Sequence, residues 1–276
     1  MADLVQYVWL LPIGVLVGTF GTLIGAGGGF LLAPLLLLMY PHESPEILTS
    51  ISLAVVFFNA FSGSVAYARM RRIDYFSGTI FALATVPGAI VGALTTTYLP
   101  RHVFDLIFGS CMILIALFVL VRPQRYAGAR QPAPHHVQRT LVDAAGTHYT
   151  YTYHPVLGVT LSTAVGYLSS LLGIGGGIIH VPAMVNLLHF PVHIATATSH
   201  FALAMMALAG TMVHIATGTF HHGVRRTIVL ALGVLVGAQI GARLSHAVQG
   251  VWILRSLALA LGAVGVRILL QALTHI

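Results

Sequence analysis

Two stretches place glycine where chemistry needs bare backbone. Residues 18–34 read GTFGTLIGAGGGFLLAP and residues 166–182 read GYLSSLLGIGGGIIHVP, so Gly25, Gly27, Gly28 and Gly29 recur as Gly173, Gly175, Gly176 and Gly177. Each cluster is closed by a proline, Pro34 or Pro182. Glycine tolerates positive φ and leaves its N–H uncovered by a side chain. If short helices begin at Phe30 and Ile178, both loops sit at helix N-termini, where free N–H groups and the helix dipole favour an anion. Glycine in an apolar segment also lets helices pack closely, and Gly14 with Gly18, Gly88 with Gly92 and Gly237 with Gly241 fit that reading. Consecutive glycines serve packing poorly, so the two GxGGG clusters read as functional.

The polar residues inside the apolar segments narrow the chemistry further. The six carboxylates, Asp3, Glu43, Glu46, Asp74, Asp105 and Asp143, all fall in loops or at helix ends, so an intramembrane carboxylate relay is missing. Histidine titrates near neutral pH and could replace it. His180 lies three residues past Gly177, and His200 adjoins Ser199. Each reads equally well as a core histidine bonded to a neighbouring helix. His214, near a helix end, reads as interfacial. The hydroxyls of Ser52, Thr198 and Ser199 could complete an oxyanion shell. Asn59 and Asn186 are amides in apolar surroundings that either glue helices or coordinate substrate, and Gln239 reads as glue. The candidate substrate-binding set is therefore Gly25, Gly27, Gly28, Gly29, Ser52, Asn59, Gly173, Gly175, Gly176, Gly177, His180, Thr198, Ser199 and His200. Arg243, Arg255 and Arg267 read as side chains reaching the interface.

The elements that must hold these residues are membrane helices. Of 276 residues 57% are hydrophobic and 7% charged, against roughly a quarter charged in a soluble domain. Mean hydropathy is +0.92. Residues 4–24, 47–68, 76–98, 103–121, 155–172, 194–216, 227–246 and 251–273 are each near the ~20 residues that cross a bilayer, while 30–39 and 178–188 are too short to span alone. The expected fold is an all-α polytopic membrane protein of two homologous halves. Each half has a glycine-interrupted helix pair followed by three helices, giving about 8 long spans plus 2 short half-helices. The glycine clusters and prolines align at an offset of 148 residues, and Thr49, Ser52 and Gly63 align with Thr196, Ser199 and Gly210 one residue short of that. The halves cover residues 1–122 and 155–276. Between them, 123–154 is a polar extramembrane linker; alternation at 147–153 could form a short strand, with a flexible tether the favoured reading.

The N-terminus has an acid at Asp3 and no basic n-region, so the first helix reads as part of the mature chain. The lone Cys111 reads as a packing residue. All thirteen basic residues are arginine. They cluster in loops and at helix ends as topology signals do, which argues against nucleic acid. Arg69, Arg71, Arg72 and the arginine-rich linker place their loops in the cytoplasm. Arg225 and Arg226 sit at the equivalent position of the second half, so parallel halves would make both loops cytoplasmic, whereas an odd number of crossings per half would invert them; the inverted arrangement is expected by analogy with secondary transporters.

The paired G-x-G-G-G loops, the T-x-x-S segments at Thr49–Ser52 and Thr196–Ser199, and the late GAIVGA and GAQIGA helices resemble the TauE/SafE family of membrane transporters. The resemblance covers nearly the whole chain except the linker. It implies movement of small sulfur-containing anions such as sulfite or an organosulfonate. The expected function is a secondary transporter working by alternating access, possible proton coupling included, in the cell membrane and, for a bacterium, the inner membrane. A passive anion channel is the alternative. An intramembrane enzyme is less favoured, because H-E-x-x-H, G-x-S-x-G and paired carboxylates are absent, and a chain without lysine has no Walker motif. The partners called for are a small anionic substrate and the lipid bilayer, with a homo-oligomer compatible; no cofactor and no metal is called for.

Overall fold

The computed structural model describes residues 7–121, 136–245 and 251–274. Its helices are α1 (Leu10–Ile24), α2 (Gly29–Met39), α3 (Pro45–Arg69), α4 (Tyr75–Tyr98), α5 (Arg101–Val121), α6 (Pro155–Leu172), α7 (Gly177–Asn186), α8 (Val192–Ala216), α9 (Val224–Leu244) and α10 (Val251–Thr274). A 3-10 turn, Thr219–His222, joins α8 to α9. Six of these, α3, α4, most of α5, α6, α8 and α9, are long and apolar enough to cross a membrane; α1, α2 and α7 are shorter apolar helices. Many large apolar side chains face outward, including Leu83, Val91, Leu232 and Leu259. In water such a surface would drive aggregation, whereas a bilayer solvates it. The chain is an integral α-helical membrane protein.

Local chemistry fixes where the helices start. Ser44 accepts a hydrogen bond from the Ile47 N–H and Pro45 takes the first helical position of α3. Asp74 does the same for α4 through the Ser77 N–H, and His154 with Pro155 starts α6.

Small residues set how the helices pair. Gly14 lies on Leu230 and Gly233, Gly18 on Val234, and Gly241 on Thr19, so α1 and α9 run parallel in close contact. A Cβ on Gly18 would stand 2.7 Å from the Val234 Cα, which shows why only glycine fits. Gly88 against Thr163 and Gly92 against Tyr167 make α4 and α6 a second parallel pair. Two other pairs are antiparallel. Gly63 meets His200 and Gly210 meets Leu53 along α3 and α8, and Gly109 meets Leu269 while Gly262 meets Ala116 along α5 and α10.

The bundle thus has two ends. At one, Glu46 of α3 bonds Thr97 of α4 and Thr217 beyond α8. At the other, Asp74 gathers the α3–α4 loop. α1 runs parallel to α9 from the Glu46 end, and α2 returns there, since Tyr40 at its C-terminus stacks under Arg226 at the start of α9. α6 runs parallel to α4 from the Asp74 end, and α7 returns to that end, where Met184, Leu188 and Phe190 cluster with Tyr151 and Tyr153.

The linker is not simply a tether. Residues 123–135 lie outside the described residues, together with Asp3, Arg125 and Arg130. Beyond them, Val137–Val142 and His148–Tyr153 pair as an antiparallel hairpin, β1 and β2. Alternation puts Tyr151 and Tyr153 on the buried side against Phe190, which makes ordering the strand worthwhile. Asp143 accepts from the N–H groups of Ala145 and Thr147 and faces Arg72 at 3.5 Å, tying the hairpin turn to the α3–α4 loop.

Candidate functional site

Both glycine loops end a helix in the same way. Gly25 and Gly173 adopt left-handed conformations with φ of 79° and 66°. The Ala26 N–H reaches back to the Gly21 carbonyl and the Ile174 N–H to that of Ser169, a Schellman closure. Gly27, Gly28, Gly175 and Gly176 also carry positive φ. The chain then turns into α2 and α7, whose first N–H groups have no acceptor within their own helix. The amides of Gly25, Ala26 and Gly27 are bonded back to α1 and those of Leu31 and Leu32 to the Gly28 carbonyl, so the donors left to meet an anion lie at Gly28, Gly29 and Phe30.

The two loops touch. A Cβ on Gly29 would stand 2.7 Å from the Ile174 carbonyl carbon, and one on Gly177 2.5 Å from the Ala26 Cα. Gly27 and Gly175 both rest on Val56 at mid-α3. Each loop is backed by a threonine of the other half of the chain, Gly25 by Thr196 and Gly173 by Thr49. Ser52 donates to the Gly173 carbonyl at 2.5 Å, so it secures the second loop.

Beside the first loop is a buried polar cluster. Thr22 of α1 donates to Asn59 Oδ1 at 3.1 Å and stands 3.3 Å from His200 Nε2. Since the Thr22 hydrogen goes to Asn59, it is His200 Nε2 that must carry a hydrogen toward Thr22. The other ring nitrogen, Nδ1, and the amide nitrogen of Asn59 are buried with no partner among the described residues. Tyr67 closes the cluster, donating to the Thr22 carbonyl at 2.7 Å and meeting the imidazole edge-on. Gly63 gives the ring its room, as a Cβ there would stand 2.6 Å from it. The corresponding place beside the second loop is held by Leu53, Ser170 and Gly210. Of these two equivalent places, only the first carries an imidazole, as reading the two halves against each other suggests.

The other sequence candidates lie around this core. His180 on α7 is bonded at both nitrogens, Nε2 to Ser162 at 3.1 Å and Nδ1 to Ser199 at 3.2 Å. Its hydrogen-bonding capacity is filled, and Ser199 is engaged with it. Thr198 faces away from the loops: its hydroxyl accepts from the Asp74 N–H at the start of α4. Asn186 donates to the Pro182 carbonyl within its own helix, and Gln239 binds the Ser62 carbonyl and hydroxyl, gluing α9 to α3. Among the described residues, no three His, Cys, Asp or Glu side chains are grouped to hold a metal ion. The arrangement suits a small polar ligand held by amide donors and a titratable ring.

Sequence patterning does not reveal the part played by Thr22, Tyr67 and Ser162. Each is an ordinary polar residue on an apolar helix, and only tertiary contact gives it a role. At the Asp74 end, burial pushes the Asp74 carboxyl up, but hydrogen bonds from Ser77, Tyr151 and Arg139 outweigh this and hold it below the usual carboxylate range. Asp143 is likewise held low: burial opposes ionisation, and the Thr147 and Ala145 amides with Arg72 overcome it.

The family model described as sulfite exporter TauE/SafE matches residues 10–268. The probable membrane transporter protein YunE of Bacillus subtilis (strain 168) is 31% identical over 274 residues, covering 97% of this chain and 99% of that protein. A probable membrane transporter protein of Xylella fastidiosa (strain 9a5c) is 29% identical, covering 72% and 70%. The probable membrane transporter protein MJ0441 of Methanocaldococcus jannaschii is 22% identical, covering 96% and 97%. No solved structure matches.

Proposed function

The chain belongs to the sulfite exporter TauE/SafE family, and from that premise we propose that it is a secondary transporter of small sulfur-containing anions, working by alternating access. The observation that carries this reading is the pair of buried, unpartnered groups beside the loop crossing, Asn59 Nδ2 and His200 Nδ1. A buried polar atom without a partner costs about 1–3 kcal/mol, and a ligand that supplies the missing partner recovers that energy. The Asn59 amide donates to an oxyanion. His200 joins it when its free nitrogen takes a proton, since the ring then becomes a cation with a second N–H. Anion and proton therefore bind together. The N–H groups of Gly28, Gly29 and Phe30 at the start of α2 add donors from the first loop tip.

The layout supports the mechanism. Residues 1–122 and 155–276 are read as inverted repeats, with 123–154 as the connection. In support, α3 runs antiparallel to its counterpart α8 and α5 to α10, while α1 pairs with α9 and α6 with α4 in the same parallel manner. Each repeat enters as a re-entrant pair and then crosses three times, an odd number, which inverts the second. Six helices, α3, α4, α5, α8, α9 and α10, then cross the membrane, with α1–α2 and α6–α7 as the re-entrant pairs. Arg69, Arg71, Arg72 and Arg139 gather at the Asp74 end, and that end is assigned to the cytoplasm of the cell membrane by the bias of arginine toward the inside.

Uptake of labelled sulfite by liposomes holding the purified chain, with and without a pH gradient, tests the reading. Accumulation that collapses with the gradient, and competition by thiosulfate or sulfoacetate, is the expected result. Equilibration without accumulation marks a passive channel. Absence of flux for all these anions overturns the substrate assignment.

A further inference from the structure

His214, in the last turn of α8, is fully buried, and neither ring nitrogen has a partner among the described residues. It is 14 residues from His200 on the same helix, about 21 Å along the axis and nearly the same face. Beside it, Glu46 is held in the first turn of α3. Four other carboxylates face arginine: Glu43 faces Arg226, Asp74 faces Arg139, Asp105 faces Arg101 and Asp143 faces Arg72. Glu46 instead accepts from the hydroxyls of Thr97, Thr217 and Thr219. It lines a cavity of about 350 Å³, together with Ser44, Thr217, Gly218, Thr219 and His222. The cavity walls are polar, and its one carboxylate makes it a poor place for an anion and a good one for a proton.

A row of similarly unpartnered atoms leads inward. Ser170 Oγ has no partner and lies against Gly210, one helical turn from His214. Ser169 Oγ has none either and lies against Gly176, in the second glycine loop. Buried polar atoms left open in this way are the ones internal water serves. These two serines lie between His214 and the second glycine loop.

We propose that Glu46 and His214 form a proton-uptake site at the end of the bundle opposite Asp74, supplying the transport cycle from that side. This rests on the transport reading above. A proton from cavity water binds the Glu46 carboxylate and passes through bridging water to a ring nitrogen of His214: the Glu46 O–H bond breaks, the water relays a proton, and an N–H bond forms, leaving a carboxylate and an imidazolium. Glu46 is the charged group whose field acts on His214. The other titratable groups of the neighbouring elements are His221 and His222 on the 3-10 turn, and Arg225 and Arg226 at the start of α9. Arg226 is engaged with Glu43 and Tyr40, and Arg101, at the start of α5, with Asp105.

Two measurements test this. Ring nitrogen NMR of the histidine-labelled full chain in nanodiscs, from pH 5 to 9, should show one imidazole that titrates, is missing in His214→Gln, and titrates at a different pH in Glu46→Gln. A His214 ring that does not change across the range, or that titrates identically without the carboxylate, overturns the proposal. This measurement needs no transported anion, so it decides the site even if the substrate assignment fails. Where sulfite accumulation is seen, His214→Gln should cut the gradient-driven part at least tenfold when protons are offered at the Glu46 end. Undiminished accumulation in that variant overturns the coupling role.

Discussion

Asn59 and His200 show what a buried group without a partner implies at the scale of single residues. Replacing Asn59 by leucine removes the open amide, and once Asn59 Oδ1 is gone the His200 ring can carry its hydrogen on Nδ1 instead, so that Nε2 accepts from the Thr22 hydroxyl. Loss of one hydrogen bond and loss of one unmet donor then nearly offset each other, so stability should stay within about 1 kcal/mol of the parent. Sulfite uptake should nevertheless fall at least tenfold, a loss of about 1.4 kcal/mol of binding or more. Thermal unfolding in detergent beside the uptake assay checks both, and a large drop in melting temperature with normal uptake would show Asn59 to be structural. His200→Gln should flatten the pH dependence of uptake, because glutamine keeps a polar head but takes no proton. An unchanged profile removes His200 from the coupling role. The sequence makes His200 legible because its counterpart, Leu53, is apolar. It leaves Thr22 and Tyr67 unread because nothing in their spacing places them around that ring.

At the scale of elements, the glycine loops and the hairpin give separable predictions. Gly29 is the first residue of α2 and does not have a positive φ, so alanine suits its backbone and by propensity favours the helix by up to ~1 kcal/mol. Its added Cβ would press 2.6 Å from Val56 and 2.7 Å from the Ile174 carbonyl carbon. Gly29→Ala should therefore part the loops and abolish uptake in a chain that still folds. Gly146→Ala is the control: φ is 82° but nothing lies within 4 Å, so strain of ~1–2 kcal/mol falls on the hairpin turn and transport persists. Equal uptake in both variants would reduce the crossing to packing. The hairpin is clamped by Asp74, whose carboxyl titrates below its usual value. A lowered folded pKa contributes stability that is present above the unfolded value, near 3.8, and is lost as pH falls through the folded value. Amide exchange of residues 137–153, corrected for intrinsic rate, should be constant from pH 7 to 5 and accelerate only below about pH 4. Loosening already between pH 7 and 5 would mean that another group holds the strands. The alternation of 147–153 announces a strand, but the reason it orders lies in Phe190 and Asp74, far away in sequence.

At the scale of the whole molecule, the glycines carry more of the architecture than the hydrophobic runs do. The runs identify the helices, and the offset of 148 residues pairs their glycine loops. Neither states which helix lies against which. That information resides in where a Cβ cannot be accommodated: Gly14 and Gly18 admit α9, Gly88 and Gly92 admit α6, and both contacts join different halves of the chain. Direction follows from these contacts. Glu46 lies with Thr217 and Thr219 at one end, while the hairpin turn at Ala145 lies with Met70 and Arg72 at the other. Ser44 and Ala145 must then face opposite sides of the membrane. With Cys111 replaced by alanine, a single cysteine at position 44 or 145 should react with a membrane-impermeant thiol reagent from opposite sides of sealed vesicles. The inside-positive bias assigns position 145 to the cytoplasmic side. Labelling of both positions from the same side would contradict three crossings per half and with them the inversion. Labelling from opposite sides but with 145 outside would keep the inversion and reverse the assignment of the ends. In that case, the proton-uptake site at Glu46 and His214 would open to the cytoplasm, and the same pair would govern release there.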